Sequence, residues 1–178
     1  MTAVAHPQAG PARGPVFVTA RDGLARLDAL TRWLVIGAMA VMTGLVVMQV
    51  VFRYALSTSI DWSEETARLA FVWAMFLALP HGIRAGVHVG IDALVVTLPR
   101  RLQDAIFRVT ALLGAALMAA VFWFATEVAI YSWPELMPTL NMTAAVYYIA
   151  VLVAAAHSIL HLVLLAWGGA DTWTEEPV

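Results

Sequence analysis

Hydrophobic positions fill four blocks that contain no Asp, Glu, Lys or Arg: Trp33 to Phe52, Leu69 to Ile83, Val109 to Thr126 and Leu136 to Ala170. A helix crosses a bilayer with roughly 20 apolar residues, in a range of about 17–25, so the first, third and fourth blocks qualify by length alone. The second is shorter, and its flanks carry the case. Asp61 followed by Glu64 predicts an N-cap with an acid at N3, and Arg68 and Arg84 can snorkel to opposite interfaces. One helix from about Trp62 to His88 then spans roughly 40 Å at 1.5 Å per residue, kinked rather than ended by Pro80.

Shorter amphipathic patterns flank these spans. Thr19 with Asp22 three residues on predicts a helix start, after which Leu24, Leu27, Leu30 and Leu34 share a face opposite Arg21, Asp22 and Arg32. This predicts a surface helix that runs without a breaker into the first span. After Gly90, the spacing of Ile91, Leu94, Val95 and Leu98 predicts a second, short surface helix stopped by Pro99. Pro134 and Pro138 separate the last two spans. The expected fold is an all-α membrane protein with a disordered tail over 1–18 and one domain over 19–170. Its spans fall at about 33–53, 63–88, 101–133 and 142–167, before an acidic tail at 171–178.

Composition agrees: of 178 residues, 62% are hydrophobic and 12% charged, against about 25% charged in soluble domains. The mean hydropathy is +0.82. A net charge of −2 with no separate basic cluster excludes nucleic-acid binding, and the absence of cysteine excludes disulfides, thiolate metal sites and cysteine nucleophiles. About 180 residues in four helices give one small bundle with little room for a central substrate path, which points to a subunit rather than a complete machine.

Orientation follows from arginine. Arg13, Arg21, Arg26 and Arg32 precede the first span, and Arg84, Arg100, Arg101 and Arg108 lie around the second and third. These segments are expected to face the cytoplasm, with both termini inside. Tyr54, Trp62, Tyr131 and Trp133 then mark the outer interface, and Trp33 and Trp167 the inner one.

Candidate chemistry is sparse. His81 and His88 on the second span and His157 and His161 on the fourth sit at similar depth. A four-helix membrane haem protein has this pattern, and an i, i+4 histidine pair can also hold a metal. A haem b-binding anchor subunit of a respiratory complex is therefore the alternative function. The plainer expectation is interfacial histidines, half wet and bonded to carbonyls or Arg84. Ala74, Ala78, Gly82, Gly86 and Gly90 form a stripe of small residues that lets another backbone approach, expected first within the chain itself. Arg53, Asp61, Glu64, Glu65 and Arg68 cluster at the outer end, where Glu64 and Arg68 are i, i+4 partners. No paired carboxylates lie at the membrane midplane, and no triad or phosphate loop has a usable spacing, so neither a self-sufficient carrier nor an enzyme is expected.

The stretch from Gln49 to Leu98 carries a specific pattern: Arg53-Tyr54 closing the first span, Trp62-Ser63-Glu64-Glu65 with Arg68 opening the second, then Arg84, His88, Asp92 and Leu98-Pro99. It resembles the small permease subunit of tripartite ATP-independent periplasmic (TRAP) transporters, strongly over the first two spans and in hydropathy over the others. Leu77 and Pro80 depart from the small residues of that family. The resemblance implies a scaffold subunit in the bacterial inner membrane, paired with a large permease and with membrane lipids. That permease would receive an organic anion, such as a carboxylate, from a periplasmic substrate-binding protein. Sodium coupling is expected in the large partner, so this chain itself needs no cofactor. By matching position, Arg53, Trp62, Glu64, Glu65 and Arg68 form an outer set and Arg84, His88 and Asp92 an inner one. All of these, with Gly82 and Gly86, are expected in structural or interface roles rather than catalytic ones.

Overall fold

A computed structural model describes residues 14–84 and 99–169, the Arg84 side chain excepted. It holds four helices long and apolar enough to cross a membrane: α1 (Pro15–Ala55), α2 (Asp61–Arg84), α3 (Arg100–Tyr131) and α4 (Ala145–Gly168). The short surface helix expected at 91–98 and the terminal tails at 1–13 and 171–178 lie outside the described residues.

The first helix starts earlier than Thr19, because Pro15 sits at its first position, where a fixed φ and a missing N–H cost nothing. Thr19 lies inside the helix and donates its hydroxyl to the Pro15 carbonyl at 3.0 Å. The surface helix and first span thus form one rod of 41 residues, about 60 Å long at 1.5 Å per residue. Its buried face follows only part of the leucine row: Leu24 is buried with Phe17, Asp28 and Thr31, while Leu30 and Leu34 are exposed. Near the start of α1, the ring of Phe17 meets Trp167 with centroids 5.6 Å apart.

Asp61 is the first residue of α2 rather than its cap and accepts from the Ser59 hydroxyl at 3.3 Å. Ser63 donates both its hydroxyl and its N–H to the Ile60 carbonyl, at 2.7 and 3.1 Å. Pro80 lies buried inside α2 without ending it. Between α3 and α4, Leu136 and Thr143 pair as an isolated bridge, and the Met137 N–H donates to the Met142 carbonyl at 2.9 Å. Gly169 closes α4 at φ +76°, a left-handed conformation suited to glycine.

Packing order differs from chain order. α1 packs on α2, α2 on α4 and α4 on α3, while α1 touches α4 only slightly. The described helices therefore form a row, α1–α2–α4–α3, rather than a closed four-helix bundle. Burial follows this order: the apolar span of α1 has no buried residue, whereas nearly half of that of α4 is buried within the chain. Ala111, Leu162 and Leu165 make the main apolar core, and Gly114 brings α3 within van der Waals reach of Leu162.

Candidate functional site

Two groups of polar side chains cross between helices, one at each end of the row. The first group centres on Asp28, which is 1% exposed. The Nε2–H groups of His157 and His161 both donate to its Oδ1, at 2.9 and 2.8 Å. Helical spacing explains the pairing, since residues four apart share a face, and the two rings lie 4.9 Å apart between centroids. On α2, His81 places its ring 6.3 Å from that of His157. Each ring nitrogen of His81 faces a backbone carbonyl, Leu77 at 3.3 Å and Asp28 at 3.1 Å. A neutral ring donates to one of them and a protonated ring to both. Pro80 lacks an N–H and so leaves the turn before His81 short of one internal bond. Thr31 completes the group, donating to the Leu27 and Asp28 carbonyls at 3.0 and 3.1 Å.

Three of the four candidate histidines thus come from two helices to one point, and His88 lies outside the described residues. Their geometry does not support the haem alternative. Paired axial imidazoles stand on opposite sides of a porphyrin, whereas here both Nε2 atoms meet one carboxylate oxygen and the rings are in mutual contact. The residue that organises the group, Asp28, was not singled out from the sequence. It lies among the polar positions of an amphipathic pattern, and hydropathy alone assigns such positions to solvent.

The second group centres on Glu65. Its Oε2 accepts from the Thr139 N–H at 2.8 Å, the Leu140 N–H at 3.0 Å and the Thr139 hydroxyl. One carboxylate of α2 therefore holds the loop between α3 and α4, 74 residues away in sequence. Thr143 closes the same loop by donating to the Trp133 carbonyl at 2.8 Å. Glu64 instead points to solvent and pairs with Arg68 at 3.3 Å, both side chains mostly exposed. Arg53 is exposed in the last turn of α1 and makes no ion pair with a described residue, and Trp62 is half exposed. The expected outer cluster therefore divides: Glu65 crosses between elements, Glu64 and Arg68 stay on one helix, and Arg53 stands apart.

The small-residue stripe also divides. Ala74 is buried, but Ala78 and Gly82 are exposed, and a Cβ built on Gly82 meets nothing within 4 Å. Among the described residues no close approach is made at Gly82, because their row leaves that side of α2 open. Gly86, Asp92 and the side chain of Arg84 lie outside the described residues. A contact not expected from the sequence closes the inner end of α3 and α4. Arg108 bonds Asp104 at 2.8 Å and donates to the Ala166 and Trp167 carbonyls at 3.0 and 3.3 Å, satisfying the last turn of α4.

The row of long apolar helices, its elements tied by polar groups, defines the class as a multi-pass membrane protein. Comparison with known proteins narrows the class. The family described as tripartite ATP-independent periplasmic transporters, DctQ component, matches residues 42–172, and the chain belongs to it. It is a small permease component of the inner membrane. A putative TRAP transporter small permease protein of Haemophilus influenzae is 23% identical over 129 residues, covering 72% of this chain and 78% of that protein. The C4-dicarboxylate TRAP transporter small permease protein DctQ of Vibrio cholerae is 29% identical over 43% of this chain and 33% of its own length. The isethionate TRAP transporter permease protein DctMQ of Oleidesulfovibrio alaskensis is 30% identical over 52% of this chain, which covers 14% of that protein.

Proposed function

We propose that this chain is the fixed scaffold of a sodium-driven importer of organic anions, lying against a large permease that carries the substrate and sodium sites. The observation that carries this is the row itself. The described helices pack in a row rather than around a common centre, and the two polar groups described above bond helices and loops to each other. The relatives agree in kind, since one is named for C4-dicarboxylate and another, of far greater length, is a permease protein named for isethionate. A carboxylate or a related organic anion is therefore the substrate class.

The open side of α2 at Ala78 and Gly82 suits a closely approaching partner helix. With the arginine-rich segments in the cytoplasm, both termini lie inside and the Glu65-held loop faces the periplasm. There its exposed Trp133 and Leu136 offer contacts to a substrate-binding protein. Gentle detergent extraction of the tagged chain from its native membrane, with mass spectrometry of the co-purifying proteins, tests this. A multi-span permease in near-equal amount is expected, and Gly82→Leu should lower its recovery while leaving the chain itself folded. A chain that purifies stably alone, with uptake unchanged by its deletion, would refute the scaffold role.

A further inference from the structure

We propose that Asp28, His157 and His161 form a binding site for a divalent transition-metal ion that staples α1 to α4. Three observations converge on it. His157 and His161 stand at i, i+4 on one helix and present the same atom, Nε2, in the same direction, as two-histidine helical metal sites require. Both atoms approach a single oxygen of a carboxylate brought from another helix, and the three donor atoms lie within 4.8 Å of one another. The separations of 2.8 and 2.9 Å are those of hydrogen bonds, and a tetrahedral ion with bonds of about 2.05 Å sets its ligands about 3.3 Å apart, so a spread of about half an ångström would admit it. All three residues are buried, so an ion held there would be shielded from competing water.

Two imidazoles and one carboxylate are a borderline donor set that favours zinc, iron or cobalt over magnesium or calcium, which take oxygen ligands. His81 is not in the set, because its Nε2 is occupied by the Asp28 carbonyl. Apart from this cluster α1 and α4 touch little, so an ion here would strengthen a weak seam of the row.

The test uses the full chain with a tag free of histidine, purified without chelator and equilibrated with zinc before desalting. Elemental analysis should find about one zinc per chain, with a melting temperature raised by several degrees and lowered again by EDTA. Cobalt(II) should give visible d–d absorption. Asp28→Asn is the informative variant, because its amide oxygen still accepts from imidazole N–H groups while the ligand charge is gone. It should stay folded and lose the zinc and its thermal effect, and His161→Ala should lose the zinc as well. A wild-type chain that stays free of metal and is indifferent to zinc and EDTA would show a hydrogen-bonded cluster only, whatever the variants do. Zinc retained at full stoichiometry by Asp28→Asn and His161→Ala would place the ion elsewhere. Either result overturns the site.

Discussion

The two ends of the helix row are held by carboxylates that work in opposite surroundings. At one end Asp28 is enclosed, and two imidazole N–H groups converge on one of its oxygens. At the other end Glu65 stands at the edge of the protein and gathers two backbone N–H groups and a hydroxyl from a loop. Water can replace the partners of Glu65 if the loop leaves, so that bond steers a conformation at little cost. No water is at hand to replace the partners of Asp28, and an unpaired buried charge is strongly disfavoured. The Asp28 tie therefore acts on how α1 is held to α4, and the Glu65 tie on how the loop between α3 and α4 is presented.

Substitutions can break or sharpen this contrast. The largest effect is expected from Asp28→Leu, which leaves His157 and His161 buried without their acceptor and should cost about 3–5 kcal/mol. Unfolding by graded detergent denaturation checks it, and a loss below that of an ordinary surface variant would mean that the cluster tolerates water. Next comes Gly114→Leu at the apolar α3–α4 seam, where even a Cβ would lie 3.3 Å from a Leu162 methyl group. Overpacking there should cost about 1–3 kcal/mol while leaving the Asp28 tie intact, as the retained pairing of α1 with α4 in cysteine cross-linking would show.

Glu65→Gln should leave global stability nearly unchanged and speed hydrogen exchange at Thr139 and Leu140 by about tenfold, the usual weight of a charged acceptor. If exchange there is unaltered, Glu65 does not hold the loop. Arg68→Ala should be the mildest, within about 0.5 kcal/mol, because its ion pair with Glu64 is exposed on one helix. A larger loss in the isolated chain would reveal a role for Arg68 beyond that pair.

What could be read from the sequence was set by range. The spans were legible because each is a local run of uncharged residues, and the i, i+4 pairing of Glu64 with Arg68 was legible because helix geometry alone creates it. Glu65 was recognised as a candidate, but its partner 74 residues away has no local signature. Asp28 was hidden for a different reason. A buried carboxylate on an amphipathic helix is indistinguishable by hydropathy from a solvated one, and only the position of α4 decides between them. The same holds for Gly82, whose stripe predicts a close neighbour without saying whether that neighbour belongs to the same chain.

The placement of α4 between α2 and α3 also bears on how the protein is made. During synthesis α3 enters the bilayer before the helix it will pack against, and α1 and α2 wait beside it with Asp28 and His81 still facing no imidazole from α4. The last span supplies both histidines to Asp28 and the seat for α3 at once. Arrival of α4 is thus registered at a single carboxylate, and a product lacking α4 would leave both the histidine contacts of Asp28 and the seat for α3 unmade, a mark by which membrane quality control could recognise it.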